Sequence, residues 1–426
     1  MGLACGHDGP EYGVPLCEHL RAADDQSDHV VRWTGDGAAS DRICTACADR
    51  PDAGAGVVTA VVCEECFDRV DGGPVRAVGA PEVRERPVQP DRTIRETVLP
   101  SDGVPLADLT PLDGPGAAWL LLYEDGRIVH WSAESGARRE VARASVAPDP
   151  EAEGFLHHVQ RRRLHASADG RFAAVVIDHG TAGEVFDLAL GVRTMVLDGG
   201  DHHAETVPFA LAFTVYEGRP VVLHRTDWNR LGAADPATGR SLEGVVGEGG
   251  PLLRADDFFH GALHVSPGGS FVADDGWVWH PDGRCEVWPL AELFGDGSGP
   301  LLAATAAYHW NRPVAWLDDC RLAVGGLGDD DLAMVPGVRI LDAARREGRA
   351  SRPQAAEVAV FGGPDGPLFA ADGLLFSVGP AGLTVWDPAD GARLGTVPGF
   401  RPAYHHRAGG ALVEVADGRL LRWRTA

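Results

Sequence analysis

From residue 92 onward one unit recurs along the chain, an aliphatic or aromatic strand followed by a polar turn that ends in glycine. The copies are RIVHWSAESG at 127–136, EVFDLALG at 184–191, RLGAADPATG at 230–239, WVWHPDG at 277–283, VRILDAARREG at 338–348, LTVWDPADG at 383–391 and RLLRWRTA at 419–426. Anchored on Trp131, Phe186, Ala234, Trp279, Leu341, Trp386 and Trp423, they stand between 37 residues apart (Trp386 to Trp423) and 62 residues apart (Trp279 to Leu341). A unit this short cannot bury its own apolar face and must stack on its neighbours. The period suits one four-stranded propeller blade with its loops. A second unit, seen in LHASADGRFAAVVID at 164–178, LHVSPGGSFVADDG at 263–276 and PVAWLDDCRLAV at 313–324, reads as inner strand, tight turn and second strand. TMVLDG at 194–199 and EVAVFGG at 357–363 supply fourth strands. No helical period interrupts this pattern, so a mainly β domain is expected over residues 92–426, and seven anchors favour seven blades over six with one irregular segment.

The anchors resemble the WD-repeat β-propeller superfamily. Trp386-Asp387 in LTVWDPADG is the best match, and Phe186-Asp187 and Leu341-Asp342 are weaker ones. The repeats lack the Gly-His pair that usually opens a unit, so the resemblance implies a diverged, WD-like, seven-bladed propeller. The last copy runs out three residues after Trp423, which leaves its blade one strand short. An open edge invites aggregation. Residues 93–99, TIRETVL, alternate suitably and are expected to close the ring.

Ahead of the repeats, residues 1–71 carry paired metal-ligand residues: Cys5 and His7, Cys17 and His19, Cys44 and Cys47, Cys63 and Cys66. Cys44-x2-Cys47 followed by Cys63-x2-Cys66 has the spacing of a zinc ribbon, because each C-x2-C turn aims two thiolates at one ion and two turns complete a tetrahedron. One Zn²⁺ is expected there. A second is possible if Cys5, His7, Cys17 and His19 also serve, either in a cross-brace or pairwise along the chain. Four protein ligands leave no position for water, so the ion is expected to be structural. Residues 72–91, rich in Gly, Pro and charge, read as a linker or as an arm along the next domain.

Charge narrows the function. All 38 basic residues are arginine, which excludes a Walker A loop, the protein-kinase lysine and Schiff-base chemistry on an internal lysine. A formal net charge of −24 repels phosphate backbones and anionic membranes, so the expected partner is a protein and not nucleic acid or membrane. With no signal peptide, no long apolar run and clustered thiols, a monomeric cytoplasmic protein is expected. Loops entering the inner strands, together with those between second and third strands, would share one face and form a rim carrying His158, His179, His203, His309, His405, Asp329, Asp330 and Asp331. Cys285 and Cys320 read as buried strand residues, and Trp119, Trp228, Trp277, Trp279, Trp288, Trp310 and Trp316 as wedges between blades. The expected function is a protein-binding scaffold. The alternative is a metal-dependent, hydrolase-like enzyme using the His/Asp rim.

Overall fold

The computed structural model describes the chain apart from residues 1–14, 23–28, 35–38, 51–56, 63–74, 79–82, 89–92, 114–116, 153, 155–157, 243–256, 280, 295–298, 332–333, 350–351 and 426. It is mainly β. Near the N-terminus, Leu16–Cys17 lies between Thr59–Ala60 and Ala39–Cys44, and His29–Thr34 lies between Ala39–Cys44 and Val75–Val78, giving one five-stranded sheet. Its apolar core is small: Leu16, Cys17, Leu20, Val30, Ile43, Cys47, Ala48 and Val62. Buried Asp41 accepts from Arg32 Nε at 2.9 Å and from Thr59 Oγ1 at 2.8 Å, which pins three strands together.

The stretch expected as a linker is divided between the two regions. Val75–Val78 belongs to the small sheet, whereas Arg84–Glu85 adds in parallel to the strand Ala392–Pro398. The Arg86 and Val88 amides continue that contact, donating to the Arg393 and Leu394 carbonyls at 3.0 and 2.6 Å. Extended, Pro-rich backbone suits such an arm.

Successive antiparallel meanders follow, spanning residues 106–143, 161–198, 211–234, 258–307, 314–362, 368–398 and 404–424. Burial explains their strand chemistry. The second strands Ala118–Tyr123 and Phe172–Asp178 are buried at every position and are apolar almost throughout, because neighbouring sheets cover both faces. The outer strand Arg138–Arg143 is mostly exposed and charged, which blunts its open edge.

Apolar clusters sit between consecutive meanders and return to their start. Leu120 and Phe186 share one, Val176 and Val222 the next, then Leu223 with Trp288, Val287 with Trp316, Ile340 with Trp386, and Phe376 with Trp423. The last cluster joins Val413 and Leu420 to Trp119 and Trp131. Each large side chain buried this way contributes about 1.5–3 kcal/mol. The ring is also closed by backbone: Ile94–Val98 pairs antiparallel with Arg419–Arg424, and the Leu99 amide donates to the Gly418 carbonyl at 2.9 Å.

The glycine-ended turn follows the third strand in four of the sequence copies. Asp187, Asp235 and Asp387 each accept from the amide two residues on, and Gly191, Gly239 and Gly391 donate back to the carbonyls of these same aspartates, with Gly136 and Ser132 repeating the pattern. These glycines have φ near +70°, the left-handed conformation a Cβ disfavours. Two copies depart from it. WVWHPDG spans the end of Phe271–Val278 and the start of Asp282–Pro289, so Trp279 marks a turn and Trp288 lies on the third strand. VRILDAARREG lies inside one long strand, Val335–Arg349. Cys285 is buried on its strand, but Cys320 is half-buried in the tight turn before Arg321–Leu327.

Candidate metal centre and histidine rim

Two strand ends of the small sheet build a ligand cluster. Leu16–Cys17 runs into the helical turn Glu18–Arg21, and Ala39–Cys44 runs into Thr45–Ala48. The cysteine at each junction has nearly the same extended backbone: φ −69° and ψ 161° at Cys17, φ −66° and ψ 159° at Cys44. The second ligand follows inside each turn, at His19 and Cys47. One ligand atom from each of Cys17, His19, Cys44 and Cys47 lies within 4.8 Å of the others. His19 Nδ1 is 3.1 Å from Cys47 Sγ, and the Cys44 amide donates to Cys17 Sγ at 3.3 Å. Burial, followed by neighbouring Cys44, pushes the Cys47 thiol up to about 11. Three thiol sulfurs and one imidazole nitrogen converging this closely are a donor set that fits a divalent metal.

The pairing of ligands is set by the parallel contact of Leu16 with Arg42, a long-range register that spacing does not encode. Cys44 and Cys47 therefore meet Cys17 and His19. Cys5, His7, Cys63 and Cys66 lie outside the described residues. On the same strand, buried Arg42 reaches buried Asp330 at 3.8 Å, which ties the small sheet to the loop between Arg321–Leu327 and Val335–Arg349.

Of the expected rim residues, all but His405 belong to the loops that enter the first strands or join second to third strands, and they fall into separate partnerships. His158 stacks on His179 with ring centroids 4.5 Å apart, and His179 Nδ1 lies 3.0 Å from the Glu205 carbonyl oxygen. Burial holds His179 down to about 4, so its imidazole is neutral at pH 7. His203 Nδ1 is 3.1 Å from Glu205 Oε1, and His309 Nδ1 is 3.1 Å from Asp331 Oδ1. Asp329 gives its carbonyl to the Ala307 amide, while Asp330 faces Arg42. His405 is elsewhere. It lines a cavity of about 520 Å³ with Ser167, Asp169, Gly268 and Arg407, at the turns between first and second strands. In an antiparallel meander those turns lie at the opposite end from the second-to-third turns. The strand Tyr404–His406 has only three residues, so it brings His405 to that far mouth.

Sequence reasoning misses the aromatic part of this rim. Trp119, Trp288 and Trp316 are buried in the inter-meander clusters as expected of wedges. Trp228, Trp277, Trp279 and Trp310 instead gather with Phe259 and His203 at the rim. Phe259 and Trp277 stack 4.0 Å apart at 6°, and Trp310 stacks on Trp277 at 5.3 Å. Thr206 is the hub, its hydroxyl accepting from Trp277 Nε1 and its carbonyl from Trp310 Nε1, both at 3.0 Å. The signal in the sequence is the crowding of Trp, Tyr and His at strand ends.

Between the inner strands, Tyr404 Oη donates to Asp108 Oδ1 at 2.8 Å, and Asp108 Oδ2 accepts from the Leu164 amide at 2.8 Å. Burial pushes His165 and His264, on two of these strands, down to about 3 and about 4.

No family model matches the sequence, and neither does any curated protein. Among solved structures, a chain from the crystal structure of the mitotic checkpoint complex is similar, with a TM-score of 0.50 and 16% identity over 82% of this chain and 98% of that one. At that identity the likeness concerns the fold, and the fold is propeller-like.

Proposed function

We propose that this chain, on its propeller-like fold, is a protein-binding scaffold: a seven-bladed, WD-like disc with one meander per blade, preceded by a module that Zn²⁺ holds together. The observation that carries the reading is the rim, where Trp279 and Tyr308 stand 52% and 58% exposed beside a cluster of stacked, hydrogen-bonded rings. Aromatic anchors on a rigid support are what protein interfaces use. The rim imidazoles bond to carboxylates and carbonyls or stack on one another, which favours a contact surface over a catalytic metal site. Three sulfurs and one imidazole are a donor set that suits Zn²⁺ and leave no position for water, so the ion's role is structural. Its thiols fit a reducing compartment such as the cytoplasm.

Affinity capture from native cells with the wild-type chain and with a Trp279→Ala/Tyr308→Ala variant tests the scaffold. Proteins retained by the first and lost by the second, at equal melting temperature, support it; identical profiles sink it. Metal analysis of the full chain and of a chain lacking residues 1–78 tests the ion, and zinc that persists in the shortened chain would argue for a rim site instead.

A further inference from the structure

We infer that the rim cluster around Trp279 and Tyr308 is a binding site for a cationic side chain, an arginine or lysine presented by a basic peptide segment of the partner. This rests on the scaffold reading and adds the partner's chemistry. The two exposed rings belong to one patch: the Tyr308 amide donates to the Pro281 carbonyl at 2.8 Å, which fixes Tyr308 against the turn that carries Trp279. Trp279 is in ring contact with Trp277 and His203, both 5.5 Å away. The indole N–H groups of Trp277 and Trp310 are directed to Thr206, so these rings are fixed from within and have little rotamer freedom left to lose.

The backbone marks the same place. Among the described non-glycine residues with positive φ, Glu217, Asp372 and Asp417 each precede a glycine in an ordinary hairpin turn. His203, Tyr308 and Asn311, at φ 50°, 54° and 57°, do not, and all three lie on this rim, as does His179 at φ 61° in the turn before Gly180; Ala117, at φ 47°, lies elsewhere. Left-handed backbone at bulky residues is costly and clusters where a surface has a task.

Charge selects the ligand. Glu205 and Asp331, with side chains 39% and 57% exposed, border the rings through His203 and His309. Burial holds His309 below its ordinary value, so it does not neutralise Asp331. The chain as a whole carries −24. An aromatic face flanked by carboxylates attracts a guanidinium or ammonium through the ring quadrupole as well as by Coulomb attraction. Among the described residues, this chain's own arginines cover other rings, at Tyr123, Phe172 and Phe209.

The probe is a short, capped Gly/Ser peptide carrying arginines, fluorescently labelled and titrated by anisotropy against the full chain, with its citrulline counterpart as the uncharged isostere. The arginine peptide should bind, and citrulline should lose about tenfold or more. Trp279→Leu, which keeps apolar area and removes the ring, should weaken binding about tenfold, and Asp331→Asn a few-fold. Binding of the arginine peptide that is unchanged in Trp279→Leu and in Tyr308→Ala would reveal diffuse attraction to an acidic chain and overturn the site, as would failure to discriminate citrulline. Were captured proteins still to depend on Trp279 and Tyr308, the scaffold reading would stand while this inference fell.

Discussion

The small N-terminal sheet and the ring of meanders are both β, yet their interiors have little in common. Among the described residues the sheet closes over eight buried ones, two of them cysteines of the ligand cluster. Every meander shares a cluster of its own with each of its two neighbours, and the final cluster returns to the first meander. A core as small as the first cannot offset the entropy of ordering its strands without an added crosslink, whereas cyclic burial supplies its own. With the Zn²⁺ proposed for its cluster, the small sheet would owe its stability to a ligand, and the ring owes its own to topology.

Metal removal should break the comparison most visibly if it is wrong. Chelation, or Cys44→Ser with Cys47→Ser, is expected to remove on the order of 10 kcal/mol from the module's folding. Rapid proteolysis within residues 16–78 would report this, with the melting of the meanders unmoved; a shared shift in both would mean that the two regions are one cooperative unit.

Deleting residues 92–100 acts on the other side. The loss of a five-residue ladder, and with it the burial of Ile94 and Leu99, should cost the ring on the order of 5 kcal/mol and promote aggregation through the bared edge. An unchanged melting temperature would show that the ring does not need its closing strand.

Acid should act on the ring as well as on the metal ligands of the small sheet. His165, His179 and His264 are depressed by burial to about 3, 4 and 4. A base whose folded pKa lies below its unfolded value leaves stability intact above about 6.5 and lowers it as the pH falls toward 4, because only the unfolded chain takes up the proton. Denaturant melts at pH 7 and pH 5 should differ by roughly 2 kcal/mol per such histidine, and His179→Gln should flatten that dependence.

The smallest effect sharpens the account of closure. Arg419 and Glu96 form an exposed ion pair across the closing strand at 2.5 Å. Arg419→Ala is expected to change stability by under about 1 kcal/mol, since backbone pairing and apolar burial carry the join. A loss comparable to the deletion would reverse that assignment.

What could be read from the sequence was local. The turn after Trp386-Asp387 is encoded within a few residues by an aspartate that caps its own backbone and a glycine that can turn left-handed, so it is legible wherever it occurs. Trp279 misleads because an aromatic at a strand's end and one within the next strand look alike until pairing is known. Cys44 and Cys47 are legible as ligands, but their meeting with Cys17 and His19 depends on a parallel contact between Leu16 and Arg42. His405 is displaced to the far mouth because its first strand has three residues where those of the first three meanders have six. The rim aromatics come from three separate connections and two strands, and only three-dimensional proximity makes them a site.

The join between Glu96 and Arg419 spans 323 positions of sequence. At ribosomal rates of about 5–20 residues per second, the first of these strands waits tens of seconds for the second to be made. During that interval every meander already synthesised belongs to an open arc with an unpaired terminus. The ring thus reaches its final stability all at once and late, and the hazardous period in the life of this protein is its own synthesis.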